Sequence, residues 1–274
     1  MVTISEALKY AENELKKVSD EALNEAKIMV AYLLDTEPAR LSFVDKKVSL
    51  KELGKIINRR KKGEPLQYIL GKWWFYDSEF YVGKGVLIPR QDTETLVDTA
   101  LELMGTKENL AAADLCAGTG AIGISIALKR PNAKVLAVEK YSKAFKFLEK
   151  NIELNGAKNV TPIKADVLKK AFGLYDIIVS NPPYITKTDM LSLSKEVKKE
   201  PKTALFGGDD GLYFYKTITK VWKSSLKKGG KLIFEIGIGQ NEAVEEILKN
   251  EGFSEINTVC DLGGVQRVIF GTLN

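Results

Sequence analysis

The chain has 274 residues, 45% of them hydrophobic, with 41 basic and 36 acidic side chains for a formal charge of +5, two cysteines and no histidine. That length and apolar content support a real core, in one large domain or one domain with a smaller companion, while so mild a charge does not by itself make a nucleic-acid binder. The lack of histidine removes the imidazole base, nucleophile partner and metal ligand of the commonest hydrolases; Cys116 and Cys260 supply neither a disulfide framework nor metal-ligand spacing, so no metal site is expected.

The N-terminal residues predict helices. Thr3 and Glu6 have capping-box spacing ahead of Ile4, Leu8, Ala11 and Leu15, which share one helical face. A second helix is expected over Asp20 to Leu34, with Ala22, Ala26, Met29, Val30 and Leu33 inward. Ser49 and Glu52 repeat the capping spacing before Leu53, Ile56, Ile57 and Arg60, and Gly63 supplies the stop. The basic cluster Lys55, Arg59, Arg60, Lys61 and Lys62 is assigned to the helix dipole and to solvation. No apolar run approaches the roughly 18 residues of a membrane helix, and the amphipathic, acid-bearing N-terminus is no signal peptide, so a soluble cytoplasmic protein is expected.

Next, Glu79 to Val82 and Gly85 to Ile88 predict a hairpin around Gly83-Lys84. The surrounding aromatics Trp73, Trp74, Phe75, Tyr76, Phe80 and Tyr81 are assigned to interdomain packing. The expected organisation is a helical domain over 1–76, a hairpin linker over 77–89 and a catalytic domain over 90–274. From Pro89 onward strands and helices alternate: helix Thr93 to Met104, strand Ala111 to Leu115, helix Ala121 to Arg130, strand Lys134 to Val138, helix Ser142 to Asn155, and strands Val160 to Ala165 and Asp176 to Ser180. A helix Leu212 to Leu226, strand Lys231 to Ile236 and helix Asn241 to Asn250 follow. Such alternation predicts a mostly parallel, doubly wound α/β sheet. The last two strands, Ile256 to Val259 and Arg267 to Phe270, have Gly263-Gly264 between them and no helix, which predicts one antiparallel strand at the end of the sheet.

Ligands in such sheets bind beyond the carboxyl ends of the strands. Asp114-Leu115-Cys116-Ala117-Gly118-Thr119-Gly120-Ala121 joins the first of these strands to its helix, and its glycines let backbone N–H groups approach a ligand. Gly118, Gly120 and Gly123 also satisfy the weak dinucleotide spacing G-x-G-x-x-G. Glu139 ends the next strand, where a carboxylate can accept both ribose hydroxyls of an adenosine-containing cofactor. Asp166, after the third, either takes the adenine amino group or caps its loop. Loop and acid alone leave NAD and S-adenosylmethionine open.

Asn181-Pro182-Pro183-Tyr184 ends the apolar run Tyr175 to Ser180. Two prolines stop ladder pairing and stiffen the chain, so the Asn181 side-chain carbonyl, the Pro182 backbone carbonyl and the Tyr184 ring form an acceptor set suited to a planar NH2 group. An amide nitrogen is a poor nucleophile because its lone pair is delocalised, and acceptors on both N–H bonds favour the state in which positive charge develops there. Hydride transfer would need a group to manage a hydroxyl proton, often histidine, so the tetrapeptide favours S-adenosylmethionine.

The loop Asp114 to Ala121 followed by Asn181-Pro182-Pro183-Tyr184 resembles class I S-adenosylmethionine-dependent methyltransferases acting on amino or amide nitrogens. More narrowly, Gly63 to Gly71, Val86-Leu87-Ile88-Pro89-Arg90, Glu200-Pro201 and Ala204 to Gly211 resemble the peptide chain release factor glutamine-N5 methyltransferases over nearly the whole chain. The resemblance implies a Rossmann-like methyltransferase domain with a final antiparallel strand, a small N-terminal helical substrate-recognition domain, and methylation of the glutamine in the Gly-Gly-Gln motif of a release factor. By position it implies cofactor contacts from Asp114, Cys116, Ala117, Gly118, Thr119, Gly120, Glu139, Asp166, Val167 and Asn181, with Asn181, Pro182, Pro183 and Tyr184 binding the glutamine amide. A release factor is the implied protein substrate, and a monomer with no nucleic-acid substrate and no membrane is expected. Gln91-Asp92 departs from the family's usual Pro-Glu, and Cys116 replaces a usual glycine and is read as packing beneath the loop. The alternatives are a ribosomal-protein glutamine methyltransferase, an adenine-N6 DNA methyltransferase, a non-catalytic S-adenosylmethionine-binding adapter, and an NAD-dependent oxidoreductase. The DNA enzyme would need a basic recognition surface, and the intact Asn181, Glu139 and glycine loop disfavour the adapter.

Overall fold

Thr3 and Glu6 close the expected capping box: the Glu6 N–H reaches Thr3 Oγ1 at 3.3 Å and the Thr3 N–H reaches Glu6 Oε2 at 2.9 Å. This starts helix α1 (Ile4–Leu15) of the computed structural model, which describes all 274 residues. The chain divides into two compact units, Met1–Lys72 with Ser194–Lys199, and Trp73–Leu193 with Glu200–Asn274. In the first unit, α1 packs with α2 (Ala22–Leu34), α3 (Leu50–Lys61) and the short α4 (Leu66–Leu70). Ala7, Ala11 and Leu15 of α1 bury with Ala26, Met29 and Val30 of α2 and Leu53 and Ile57 of α3, the small alanines allowing close helix approach. Ser49 caps α3 by accepting the Glu52 N–H at 3.4 Å.

The basic end of α3 is not the solvated cluster the sequence suggests. Arg60 is buried, with its Nε and Nη2 on the two Glu25 carboxylate oxygens at 2.7 and 2.8 Å and Nη2 also 2.7 Å from Glu196. Arg59 makes a forked pair with Glu64. A buried guanidinium needs such partners, because unpaired it carries a full desolvation cost.

The second unit opens with a hairpin, β1 (Lys72–Phe75) and β2 (Ser78–Tyr81). Its turn therefore lies at Tyr76-Asp77, earlier than the expected Gly83-Lys84. Tyr76 holds the left-handed conformation at φ 54°, stabilised by its N–H on Glu94 Oε1 (2.8 Å) and its hydroxyl on Asp98 (2.7 Å). Beyond β2 the backbone cannot continue as a strand. Gly85 turns to φ 113°, and Gly83 lies so close to the Phe147 ring that a Cβ there would sit 2.9 Å from it. Of the aromatics assigned to interdomain packing, Phe75 and Phe80 meet edge to face at 6.1 Å inside this unit's own core, and Trp74 is exposed.

The remaining elements are α5 (Glu94–Met104), β3 (Ala111–Leu115), α6 (Ala121–Lys129), β4 (Lys134–Glu139), α7 (Ser142–Leu154), β5 (Val160–Lys164), β6 (Tyr175–Ser180), α8 (Asp189–Ser192), α9 (Tyr213–Trp222), β7 (Leu226–Glu235), α10 (Asn241–Asn250), β8 (Phe253–Cys260) and β9 (Gln266–Leu273). Seven strands form one sheet in the order β5-β4-β3-β6-β7-β9-β8. Alternate residues serve opposite faces, as the pleat requires. Ala112, Ile177, Val179 and Ile233 pack with α5 and α6, while Ala113, Ile178, Leu232 and Phe234 pack with Tyr215 and Trp222 of α9 and Val244 of α10. The final strand is antiparallel as expected, but β9 sits between β7 and β8 instead of at the sheet's edge. The crossover through α10 sets β8 one position out, and the return after Gly264 fills the gap.

Candidate active site

From β3 the chain winds outward through β4 to β5, then returns to place β6 on the other side of β3. The switch point of the sheet is therefore the β3/β6 crevice, where ligands of such sheets bind. Four adjacent parallel strands deliver Asp166, Glu139, Cys116–Gly118 and Asn181 in a row along their carboxyl ends. A cleft of about 960 Å³, open solvent at its mouth included, runs along this row.

At the centre, the loop after β3 is held tightly. Ala117 N–H bonds Val138 O at 3.0 Å, and Gly118 N–H bonds Glu139 Oε2 at 3.0 Å. Glu139 Oε1 accepts the Tyr141 N–H at 2.6 Å. Glu139 is thus a buried acceptor fixed by backbone donors in the cleft wall. Burial raises its pKa while those N–H groups work the other way. Gly118 and Gly120 have φ of 56° and 82°; a Cβ on Gly120 would fall 2.5 Å from Leu148 Cδ1, so Gly120 faces the core and only Gly118 borders the cleft. Cys116 lines the cleft at φ 63°, where glycine is unstrained, and burial pushes its thiol well above the usual range.

Asp114 is not in the cleft wall. Its pleat direction turns it beneath the loop, where Oδ2 accepts the Gly123 N–H at 2.9 Å and anchors the first turn of α6. Burial lifts its pKa to about 7, and Oδ1 has no partner. At the far end, Asp166 Oδ1 accepts the Leu168 N–H (3.1 Å) and Oδ2 meets Lys140 Nζ (3.0 Å). Burial works to raise Asp166, but the Lys140 ammonium and the Leu168 N–H hold it below the usual carboxylate range. Val86, Ile122, Val138, Val167, Leu168 and Phe214 give this part of the cleft apolar walls.

At the β6 end, Asn181 and Pro183 line the cleft, whereas Pro182 and Tyr184 do not. Asn181 Nδ2 donates to Thr93 Oγ1 at 3.2 Å, which leaves Oδ1 as the acceptor the cleft can use. The Tyr184 ring packs into the core on the α9 side instead of lying open, with its hydroxyl donating to Glu235 Oε1 at 3.4 Å. Behind the tetrapeptide Gly207 comes so near that a Cβ would lie 2.6 Å from Tyr184 Cα and 2.7 Å from the Pro183 carbonyl oxygen. Ile185 N–H on Leu205 O and Gly207 N–H on Ile185 O, each 2.9 Å, tie the two segments together. Across the mouth, Glu200 accepts the Ile88 N–H at 3.0 Å and pairs with Arg90, joining the segment Gly85–Arg90 to Pro201–Ala204. Sequence reading missed Thr93, Tyr141 and Glu235. Tyr141 had a local signal, an aromatic ring two residues beyond a strand-end acid; the other two had none.

Residues 6–71 match a family model described as PrmC N-terminal domain, and residues 92–210 match one described as Methyltransferase small domain. A protein of Clostridium acetobutylicum named release factor glutamine methyltransferase is 38% identical over 276 residues, covering 97% of each chain. One of Fusobacterium nucleatum with the same name is 44% identical over 218 residues, 78% of this chain and 61% of that protein's length. Among solved structures, the hMettl16 catalytic domain in complex with a MAT2A 3'UTR hairpin superposes with a TM-score of 0.61 at 16% identity, covering 89% of this chain and 92% of that one, a likeness of fold alone. No helix is long and apolar enough to cross a membrane.

Proposed function

The chain belongs to the release factor glutamine methyltransferase family, and we propose that it transfers a methyl group from S-adenosylmethionine to the side-chain amide nitrogen (N5) of the glutamine in a release factor's Gly-Gly-Gln motif. The observation that carries this reading is the Asn181 amide, tethered by its nitrogen to Thr93 with its oxygen left for the cleft. The cleft suits the cofactor by its donor and acceptor set: a buried carboxylate for a ribose diol, an apolar slot for a planar base, and a narrow backbone approach at Gly118. When bound, S-adenosylmethionine supplies an electrophilic methyl group on a sulfonium.

Everything else is done by the chain. Glu139 accepts the ribose hydroxyls, Asp166 and Val167 border the adenine, and Cys116 to Thr119 face the remainder from the loop. Asp114 and Gly120 support that loop from behind. The Asn181 Oδ1 accepts an N–H bond of the target amide and so stabilises most the state in which positive charge develops on the nitrogen, while Pro182, outside the cleft wall, stiffens the segment that carries it. Pro183 walls the nitrogen's approach, and Tyr184, partly buried and with its pKa raised by desolvation, stays a neutral hydroxyl that fixes the tetrapeptide from behind. The chain has no histidine to collect the proton the nitrogen sheds, and Glu235, reached by the Tyr184 hydroxyl, lies outside the cleft wall, so that proton leaves to solvent at the cleft mouth as the sulfonium becomes a thioether. The helical unit contacts the release factor, and the enzyme acts as a cytoplasmic monomer without a nucleic-acid substrate.

Two substitutions test the division of labour. Asn181→Ala should lower kcat/KM on a release factor by about a hundredfold to a thousandfold while cofactor affinity by calorimetry holds. Glu139→Ala should do the converse, weakening cofactor binding. Undiminished turnover in the first, or unchanged affinity in the second, contradicts the assigned roles.

A further inference from the structure

Ile88 and Glu200 each stand before a proline, Pro89 and Pro201, which favours extended backbone at both, and neither lies in a strand that could supply ladder partners. Ile88 is buried, and its N–H is satisfied by the Glu200 carboxylate, where Oε2 accepts it at 3.0 Å. The other oxygen, Oε1, takes the Arg90 guanidinium. A carboxylate whose side chain is only 1% exposed therefore ends on two donors of one short segment far earlier in the chain.

We propose that Glu200 is a positioning residue that sets the spacing between the two halves of the cleft, the half that holds the cofactor and the half that holds the target amide. The inference rests on the reading of the site as one where a methyl donor meets an amide, and it deepens that reading.

Each end of this tie reaches one half through short, stiff steps. On the cofactor side, Val86, Leu87 and Arg90 line the cleft, and a Cβ built on Gly118 would lie 3.9 Å from Val86 Cγ2, so the segment borders the cofactor loop itself. On the other side, Glu200 leads straight into a single 3-10 turn, Lys202–Ala204, closed by the Ala204 N–H on Pro201 O and the Phe206 N–H on Lys202 O, each at 2.9 Å. Pro201, Thr203 and Ala204 of this turn line the cleft. The turn runs on to Leu205, whose carbonyl accepts the N–H of Ile185, the residue that follows the tetrapeptide. The path from cofactor loop to tetrapeptide is thus Val86, Ile88, Glu200, Leu205, Ile185.

Two acceptor oxygens are what the tie needs. A carboxylate accepts from both donors at once, whereas an amide of the same shape has one acceptor and must turn its NH2 toward the Ile88 N–H or the guanidinium. A buried carboxylate also needs a charge partner, which Arg90 supplies. Methyl transfer requires nitrogen, methyl and sulfur in line, and a displacement of about 1 Å between the reacting groups can slow such a step about a hundredfold. Glu200 itself lies outside the cleft wall, so it acts on that alignment through Ile88 and Arg90.

The test uses the full chain, labelled S-adenosylmethionine and a release factor. Glu200→Gln should lower the single-turnover rate at saturation by about tenfold to a hundredfold, while the concentrations of cofactor and release factor that half-saturate it stay within about threefold of wild type, because each half still binds its own ligand. Arg90→Met breaks the tie from its half-exposed end and decides the question should Glu200→Gln fail to fold. It should slow the same step, and the double variant should be slower than the worse single one by no more than about twofold. A single-turnover rate within about twofold of wild type in either variant, half-saturating concentrations raised with the rate held, or losses that multiply in the double variant overturn the tie. A wild-type chain that methylates no release factor overturns instead the reading on which the tie is built.

Discussion

Asp114 lies at a strand end next to the cofactor loop, and from the sequence it reads as a ligand for that reason. The pleat of β3 decides otherwise. Ala113 and Leu115 pack on the α9 side of the sheet, so Asp114 points the other way, beneath α6, and takes the Gly123 N–H. Its burial raises the folded-state pKa to about 7 from an ordinary value of 3.8. Between those values the folded chain holds a proton the unfolded chain has released, so this group's contribution to stability falls as pH rises through the window and is level above it. Asp114→Asn keeps an acceptor for Gly123 and has no charge to bury. Its stability relative to wild type should therefore climb by about 2 to 4 kcal/mol from about pH 4 to about pH 7.5, read by urea unfolding at each pH. A pH-independent difference would show that Asp114 is ionised in its pocket. Sequence could name Glu139 and Asn181 as strand-end groups because each is the last side chain of an apolar run. It could not name Thr93, because its hydrogen bond from Asn181 depends on how the start of α5 packs against the end of β6, which no local spacing encodes.

At the scale of elements, strand and helix positions from β3 onward were legible because apolar runs alternate with amphipathic stretches at the right lengths. The hairpin was not, because Gly83-Lys84 suggested a turn where Gly83 and Gly85 in fact permit close approach to Phe147 and Lys143. Glycine's freedom has the same double meaning at Gly207. The Ala204 to Gly211 segment is recognisable by resemblance, yet its physical reason appears only in the fold. Gly207 lets the chain pass against the backbone of Pro183 and Tyr184, and a clash with backbone cannot be relieved by rotating a side chain. Gly207→Ala should push Asn181–Tyr184 out of place, reducing kcat on the release factor by at least about tenfold with cofactor affinity nearly unchanged, since the loop and Glu139 lie on other strands. Equal losses in affinity and turnover would indicate general unfolding instead.

On the scale of the whole molecule, a mildly basic, histidine-free chain with a switch-point cleft and a helical companion unit is what the composition and the strand-helix alternation led to. The interior placement of β9 and the buried Arg60 with Glu25 and Glu196 were not legible, since both depend on partners distant in sequence. One buried carboxylate, Glu139, and one tethered amide, Asn181, line the cleft, and the proposed target is a glutamine amide of a protein. The most direct measurement is incubation of the full chain with isotopically labelled S-adenosylmethionine and, in parallel, a release factor, a ribosomal protein and duplex DNA, with mass-spectrometric localisation of the label. A single methyl group is expected on the glutamine side chain of the release factor's Gly-Gly-Gln motif and none on the other two acceptors; label on an adenine, on the ribosomal protein, or at any other residue of the release factor would contradict the proposed function.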